Sequence, residues 1–410
     1  MDEILASIDI GTAKVAVVIA ENTAEGLAVR GFGIAPVEGV VRGTVVNIHK
    51  AEQGVISALK IAEKQAQLKV KKVSVAFGGY PTKIIKGHGI APVPKDRGTV
   101  SPTDIVRAIE AGKSIALPED KQVVDYAVAD FVVDGNPGVD DPIGMAASKV
   151  ECDLFLFVAD SAAVANLMRV MEELDLEVTD VVASPVGSAR AILTEEEKEL
   201  GAVMIDIGAG TTDVVAYKNR RPTAIFTIPY AGESVTHDLM VGLKLPRKEA
   251  EKVKIEHGCA VEQLVPADQK VELPGIGGRE PRIVDRSFVA MIMEARLEEI
   301  ISMAKDSLVQ SGIDPTGDDY SAGIVLTGGT SITPHIVDLV EKVVKAPARV
   351  GLPGDVMPIP DGMNTPDFHT VWGTLNISFE RKRLYEQVEA KKGKIPAFWD
   401  RIKRWILRQL

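Results

Sequence analysis

The chain has 410 residues, 46% hydrophobic and 26% charged, which is typical of a globular protein too long for a single hydrophobic core. Its net charge of −11 disfavours nonspecific nucleic-acid binding, although the residues from 381 onward carry a positive excess. The two cysteines lack the spacing of a metal site or disulfide framework. No apolar run reaches the roughly 18–20 residues that span a bilayer, so we expect a cytosolic, multidomain chain with at most peripheral membrane contact.

The first 80 residues predict a compact α/β unit of strands around a helix at about 50–68. Residues 81–160 differ from it, because they combine short strands with a Pro- and Gly-rich connection and a helix that begins near Ser101. This pattern predicts a small inserted α+β domain. It contains no phosphate loop and no convincing catalytic set, so we expect it to serve an interaction.

Two stretches share the order apolar strand, Asp, any residue, Gly, then a second strand. One surrounds Asp9, and the other, GAVMIDIGAGTTDVV, occupies residues 201–215 around Asp206. Each predicts a β-hairpin whose glycine tip can turn backbone N–H groups toward an anion, while Thr hydroxyls add donors. Asp206 could hold a cation facing that anion, Mg²⁺ through water. One such hairpin is usually only a turn, but the duplication favours two α/β lobes around a phosphate-binding cleft.

Two further segments supply what a nucleotide between such lobes would need. A predicted strand runs into TGGTS at 327–331, a glycine turn on which base and ribose could lie. A helix at about 246–257 places Glu251 and Lys254 one turn apart on one side, as a polar face for the ribose. A later helix near Val371 would close the base of the cleft.

These residues give the chain a resemblance to the actin/Hsp70/sugar-kinase superfamily and, over essentially its whole length, to the FtsA family of bacterial division proteins. The segments that carry the narrower resemblance are IPYAGE at 228–233, EHGCA at 256–260, VELPGIGGR at 271–279 and AGIVLTGG at 322–329. The resemblance implies an α/β, actin-like ATPase fold of two duplicated lobes around a nucleotide cleft, with a small inserted α+β domain and a C-terminal amphipathic helix.

The same resemblance implies a function in cell division. It indicates an ATP-binding, actin-like peripheral membrane protein at the division septum, on the cytoplasmic face of the membrane. Such a protein self-assembles into filaments and anchors FtsZ by binding the C-terminal tail of FtsZ. It also helps recruit later division proteins through the inserted domain.

Matched residue by residue, the family pattern assigns ATP contacts to both hairpins, the ribose helix and the adenosine loop. These residues are Asp9, Gly11, Thr12, Lys14, Asp206, Gly208, Gly210, Thr211, Thr212, Glu251, Lys254, Gly328, Gly329 and Thr330. Asp9 and Asp206 would hold Mg²⁺ through water. Thr330 departs from the family pattern, since many relatives have smaller residues around that position.

The sequence patterns and the family resemblance together give the expected domain bounds. They are 1–80 with 161–195 and 366–382 for the first lobe core, 81–160 for the inserted domain, 196–229 with 300–365 for the second lobe core, 230–299 for its outer subdomain, 383–396 for a linker and 397–410 for the amphipathic helix.

ATP hydrolysis needs a side chain that positions the water molecule attacking the phosphate, so the presence of such a group decides whether the chain is an enzyme. The connecting segment SPVGS at 184–188 offers hydroxyls but no Gln, Glu or His suited to that role. We therefore expect ATP binding to matter more than turnover, with weak hydrolysis or none and no assigned catalytic residue.

The last residues have the composition of a helix lying in a membrane interface. On a helical wheel its apolar face is formed by Phe398, Trp399, Ile402, Trp405 and Ile406. The remainder is basic and is formed by Arg401, Lys403, Arg404 and Arg408. The alternative is that the apolar stripe docks on the protein's own core. The family resemblance independently implies a membrane anchor here.

A long helix is predicted over 285–310, and its sequence pattern indicates one face buried in the core and one face in solvent. The family resemblance suggests that it receives the FtsZ tail, with Met291, Arg296 and Glu299 as the contact residues and Arg296 facing an acidic group. Two other identities stay open. One is a pilus-assembly protein like PilM, which the amphipathic tail and the EHGCA and GIGGR segments disfavour, and the other is a small-molecule kinase, which lacks an evident acceptor-site base.

Overall fold

The computed structural model describes residues 3–275 and 280–390, and the chain begins with strands packed on one long helix. These elements are β1 (Glu3–Ile10), β2 (Lys14–Thr23), β3 (Gly26–Pro36), β4 (Val40–Val41), β5 (Thr44–Val45), α1 (Ile48–Ala66) and β6 (Lys72–Phe77). Helix α1 begins two residues before the expected position, because the Asn47 side chain caps it by accepting from the N–H of Lys50. It packs tightly on β3, where a Cβ at Gly33 would lie 2.2 Å from the Ala58 carbonyl oxygen.

The next segment forms an antiparallel sheet with a single helix on it. Its elements are β7 (Thr82–Pro92), α2 (Pro102–Lys113), β8 (Lys121–Val133), β9 (Asn136–Val139) and β10 (Lys149–Asp160), and the strand order is β7-β10-β8-β9. Helix α2 begins at a capping box, in which Asp104 accepts from the N–H and hydroxyl of Ser101. Cys152, Leu154 and Leu156 of β10 are buried in a core of this segment's own. An α+β unit therefore interrupts the first sheet.

The chain then returns to complete the first sheet. It forms α3 (Ser161–Glu173), β11 (Glu177–Ala183), α4 (Ser184–Ile192) and the short α5 (Glu195–Leu200). Strand β11 pairs in parallel with β6, so the first sheet has the order β11-β6-β1-β2-β3. We call this sheet and its helices the first lobe.

A second sheet follows, with its own helices. Its elements are β12 (Ala202–Ile207), β13 (Thr212–Lys218), β14 (Arg221–Ile228), α6 (Gly232–Leu243), α7 (Arg247–His257), the pair β15 (Lys270–Leu273) and β16 (Arg282–Asp285), α8 (Arg286–Gln310), β17 (Gly323–Thr327), α9 (Ile336–Val344) and β18 (Ala348–Val350). The five-stranded order is β14-β13-β12-β17-β18. We call this part the second lobe.

The two lobes repeat one topology. Strand β1 is antiparallel to β2 and parallel to β6, and β12 is antiparallel to β13 and parallel to β17 in the same way. Each hairpin therefore occupies the same place in its sheet. The duplication that the sequence predicts is confirmed at the level of strand order.

The last helix of the described residues, α10 (His369–Ala390), connects the lobes. Its Trp372 is 1% exposed in a core that also contains Val18 of β2 and Met204 of β12. A Cβ at Gly373 would lie 1.8 Å from the Gly187 carbonyl oxygen, so α10 crosses α4 at backbone contact. Because α10 continues to Ala390, the first part of the expected linker 383–396 is helical.

Helix α10 also binds the inserted unit through one buried cation. Arg381 Nη2 lies 2.6 Å from Asp125 Oδ1 of β8, and Arg381 Nη1 lies 3.3 Å from Asp180 Oδ2 of β11. The guanidinium also lies over the Tyr126 ring, 4.8 Å from its centroid. One side chain of α10 thus joins the inserted sheet to the first lobe.

Within residues 3–275 and 280–390, no helix is long and apolar enough to cross a membrane. The segment expected to contact the membrane, 398–408, lies outside the described residues, as does the IGGR part of the VELPGIGGR segment.

Candidate functional site

The two hairpins end in equivalent turns. In the first, the N–H of Gly11 donates to the Lys14 carbonyl oxygen at 2.9 Å, and in the second, the N–H of Gly208 donates to the Thr211 carbonyl oxygen at 3.0 Å. A Cβ would lie 3.2 Å from the acceptor oxygen at Gly11 and 3.1 Å from it at Gly208, which is a tight fit in both turns. The sequence similarity around the two aspartates therefore reflects one local structure that is made twice.

The two turns meet each other across the lobes. A Cβ at Gly210 would lie 2.4 Å from the Thr12 hydroxyl oxygen and 2.9 Å from the Cα of Arg42. That hydroxyl also accepts from the N–H of Gly43 at 2.9 Å. Glycine at position 210 is thus what allows the second hairpin to contact the first.

Asp206, at the end of β12, is held by two donors on its Oδ2 atom. The Ser188 hydroxyl lies 2.8 Å away and His369 Nε2 lies 2.7 Å away. The other ring nitrogen of His369, Nδ1, lies 2.6 Å from the Pro366 carbonyl oxygen. Since both of these neighbours accept, both ring nitrogens are assigned as donors, and His369 is the imidazolium.

Burial and charge act in opposite directions on this pair. Burial alone would lower the pKa of His369, but the Asp206 carboxylate beside it raises that pKa. Burial likewise opposes the ionisation of Asp206, yet His369 and the Ser188 hydroxyl hold its pKa below the usual range. Asp206 and His369 therefore form a buried ion pair.

Two other carboxyl groups near this pair are shifted in the opposite direction. Asp9, which is partly exposed, has its pKa raised to about 6 by desolvation, against the charges of His369 and Lys14. Asp213 is buried, and desolvation together with the Asp206 charge raises its pKa to about 7. Carboxyl groups crowded in this way favour a cation or a proton at the site.

Lys14, the cation of the first hairpin, forms an ion pair with Asp367. The Lys14 side chain is 27% exposed and that of Asp367 is 43% exposed. Asp367 lies two residues before α10 begins. The segment that leads into α10 thus contacts the first hairpin through Asp367 and the second through His369.

The predicted adenosine loop lies against the second hairpin. The Gly208 carbonyl oxygen accepts from the Thr330 hydroxyl at 3.0 Å and from the N–H of Gly232 at 3.1 Å. Gly328 has φ +84°, and a Cβ there would lie 2.4 Å from Asp206 Oδ1, whereas a Cβ at Gly329 would meet open space. The loop therefore approaches the acidic residue directly and leaves room beside it.

The predicted ribose residues, Glu251 and Lys254, reach the start of α6 beside the adenosine loop. Lys254 Nζ lies 2.9 Å from Glu251 Oε2 and 3.2 Å from the Gly232 carbonyl oxygen. Both side chains also contact the Thr236 hydroxyl of α6. The second hairpin, the predicted adenosine loop and the predicted ribose helix thus lie next to one another around Gly208 and Gly232.

Thr212 is placed differently from the other predicted residues. It is fully buried, and its hydroxyl donates to the Tyr230 carbonyl oxygen at 2.8 Å. Its hydroxyl therefore ties β13 to the segment that follows β14. Thr211, at the turn, is partly exposed.

The residues expected to contact FtsZ lie on α8. Met291 is 43% exposed, whereas the Arg296 guanidinium already pairs with Asp238, at 2.5 Å between Nε and Oδ2. Arg296 Nη1 also lies 2.5 Å from Glu299 Oε2. An acidic partner would therefore have to exchange with these internal carboxylates.

The residues around Asp206 also include groups that sequence analysis missed. His369 stands 163 residues after Asp206, and Asp367 stands 353 residues after Lys14, so no local motif connects either pair. The only available signal was that both residues directly precede the helix expected to close the cleft.

The residues present fit a metal-bound polyphosphate with a nucleoside attached. Glycines stand where a Cβ would obstruct the turns, and Lys14 supplies positive charge. Across the described ranges, no three His, Cys, Asp or Glu side chains converge as metal ligands. Mg²⁺ usually keeps several water ligands in protein sites, so the Asp9 and Asp206 carboxyl groups would hold it through water.

Similarity to known proteins agrees with this architecture. The family model described as "Cell division protein FtsA" matches residues 203–373, and the one described as "SHS2 domain inserted in FTSA" matches residues 79–158. The FtsA protein of Pseudomonas aeruginosa is 32% identical over 412 residues, covering 98% of this chain and 97% of that protein.

Solved structures of other proteins share the fold. The PilM–PilN type IV pilus biogenesis complex aligns with a TM-score of 0.64 at 15% identity, over 91% of this chain and 98% of that one. MreB5 of Spiroplasma citri bound to ADP aligns with a TM-score of 0.53 at 15% identity, over 94% and 99%. Two duplicated lobes with an inserted unit make this the actin-like fold. The 32% identity to an FtsA protein over nearly the whole chain distinguishes the FtsA family from the other proteins of this fold. The chain belongs to the FtsA family of cell division proteins.

Proposed function

We propose that this division protein binds ATP with Mg²⁺ between its lobes, assembles into filaments on the cytoplasmic face of the membrane at the septum and anchors FtsZ filaments there. The observation that carries the nucleotide part is the contact between the two equivalent turns at Thr12 and Gly210, close enough to Lys14 for its charge to act on Asp206. The ADP in the MreB5 structure, which has the same fold, supports a nucleotide in this cleft.

Each part of the cleft has a proposed role. Lys14 and the N–H groups of both turns bind the phosphates, while Gly328 and Gly329 lie against the adenosine. Glu251 and Lys254 face the ribose. Bound Mg²⁺ would neutralise phosphate charge, and Asp9 and Asp206 would hold it through water.

We infer slow ATP turnover from the bonding of Asp206. Its Oδ2 atom already accepts from Ser188 and His369, and the lowered pKa makes it a weak base toward water. Turnover of many ATP molecules per second by the purified protein would contradict this inference.

Nucleotide binding is tested by titrating a fluorescent ATP analogue with and without Mg²⁺. We expect Lys14→Ala to weaken binding at least tenfold, because a charge-assisted contact to phosphate is lost. Lys60→Ala, which removes the same charge from an exposed position on α1, is the matched control. Equal nucleotide affinities for the two variants would show that Lys14 does not contact the nucleotide.

Membrane anchoring is proposed for the terminal segment, and self-assembly and recruitment of later division proteins for the inserted domain at 81–160. We expect the full chain to pellet with anionic vesicles and ATP, and the chain lacking 397–410 to stay in the supernatant. Pelleting of both chains to the same extent would show that another surface binds the lipid.

FtsZ anchoring is proposed at α8, around Met291, Arg296 and Glu299. We expect Arg296→Glu to weaken binding of an FtsZ tail peptide, because it replaces the proposed cation with a like charge. Arg30→Glu, the same reversal on the first lobe, is the control. Unchanged affinity in Arg296→Glu would count against this location.

ATP consumption that appears only after a small-molecule acceptor is added would instead indicate a kinase.

A further inference from the structure

The segment that leads into α10 contacts both hairpins through two ion pairs of different character. His369 and Asp206 are enclosed, with side chains 6% and 10% exposed. Asp367 and Lys14 are accessible, at 43% and 27% exposed. The segment therefore has one contact that is fixed and one that a ligand in the cleft can reach.

The accessible ion pair occupies the ammonium group of Lys14. The tips of the two hairpins read GTAK at 11–14 and GAGT at 208–211, so Lys14 is the single cationic side chain that the two tips offer to a phosphate. An ammonium group makes the same kind of charge-assisted hydrogen bond to a carboxylate oxygen as to a phosphate oxygen. Asp367 thus holds the group that a phosphate would need.

We propose that Asp367 is an internal competitor of nucleotide phosphates for Lys14, and that it sets the affinity of the cleft for nucleotide. The inference rests on the proposed nucleotide site and adds to it a residue that limits occupancy. Asp367 cannot move far from the cleft, because His369, two residues later, stays bound to Asp206. A nucleotide must therefore displace the Asp367 carboxylate from Lys14 while that negative charge remains near its phosphates.

The consequence is that removing the charge of Asp367 strengthens nucleotide binding. Asp367→Asn keeps the size of the side chain and frees Lys14 from a partly exposed ion pair. We expect ATP to bind about fivefold more tightly, the scale of one such pair. Asp361→Asn changes the net charge equally at an exposed position of the preceding loop and should leave the affinity unchanged.

The test is a double-mutant cycle on the full chain, with a fluorescent ATP analogue and Mg²⁺ as the probe. The four proteins are the wild type, Asp367→Asn, Lys14→Gln and the double variant. Direct competition predicts that Asp367→Asn tightens binding in the Lys14 background and has little effect in the Lys14→Gln background. Equal tightening in both backgrounds would indicate a general charge effect and overturn the inference.

A second measurement does not depend on nucleotide. Without nucleotide, the unfolding midpoints of the same four proteins should be non-additive, because either single substitution breaks the ion pair. Additive midpoints would show that the pair does not form in solution. If the wild type binds ATP but Asp367→Asn does not bind it more tightly, this inference is overturned and the proposed nucleotide site stands. If the wild type does not bind ATP at all, both the inference and the proposed function are overturned.

Discussion

His369 Nε2 lies 2.7 Å from Asp206 Oδ2, and this bond joins the first residue of α10 to the end of a strand 163 positions earlier in the chain. Both side chains are at least nine-tenths buried. The two oxygens of the Asp206 carboxylate therefore have different neighbours, since Oδ2 is hydrogen-bonded to His369 while the glycine loop approaches Oδ1.

Removing the histidine should destabilise the protein strongly. His369→Ala leaves the buried Asp206 carboxylate without its cation, and breaking a buried pair in this way costs about 3–5 kcal/mol. The free energy of unfolding, measured with denaturant in the absence of nucleotide, should fall by that amount.

The exposed pair of His335 and Asp338, at 2.8 Å, is the matched control. His335→Ala should change the free energy of unfolding by less than about 0.5 kcal/mol, because solvent already screens that pair. Similar losses in the two variants would mean that burial of the His369–Asp206 pair does not matter.

Stability without nucleotide should fall as the pH rises toward 8. The pKa of Asp213 is raised from 3.8 to about 7 in the folded protein, chiefly by burial, so the folded state binds a proton that the unfolded state releases. The stabilisation is present at low pH and is lost between about pH 4 and 7. Asp213→Asn should reduce the fall between pH 5 and pH 8 by roughly 3 kcal/mol at most, since about two pKa units lie in that window and each is worth about 1.4 kcal/mol.

Unfolding curves at pH 5 and pH 8, with metal chelated, test the effect of Asp213. Asp268→Asn, at an exposed carboxyl group of the second lobe, should retain the wild-type pH dependence. A pH dependence that is the same in all three proteins would assign the effect to other groups.

Two neighbouring glycines should respond differently to the same substitution. Gly328→Ala places a Cβ 2.4 Å from Asp206 Oδ1 at a φ of +84°, so we expect a loss of about 1–3 kcal/mol and weaker ATP binding. Gly329→Ala meets open space and should fold with near-wild-type stability. Equal melting temperatures for both variants would contradict the close approach of the loop to Asp206.

Local patterns predicted the parts of the cleft that depend on neighbours in sequence. The Asp-x-Gly spacing identified both hairpins, because a turn is fixed by a few consecutive residues. Helical spacing placed Glu251 and Lys254 on one side of α7, and the structure brings them together at Thr236.

The sequence did not predict the contacts made across the lobes. Asp367 lies at the end of a loop-rich stretch and His369 begins α10, and their partners are set by how α10 packs between the sheets. The Arg296 bond to Asp238 was missed for the same reason, since it joins α8 to α6. Such pairs depend on tertiary packing, which no periodicity in the chain reports.

The repetition of the hairpin turn makes the cleft unequal in charge. Lys14 and Thr211 occupy equivalent positions, each providing the carbonyl oxygen that closes its turn, so duplication has left a cation on one side and a neutral hydroxyl on the other. An anion bound between the turns is attracted more strongly to the first lobe.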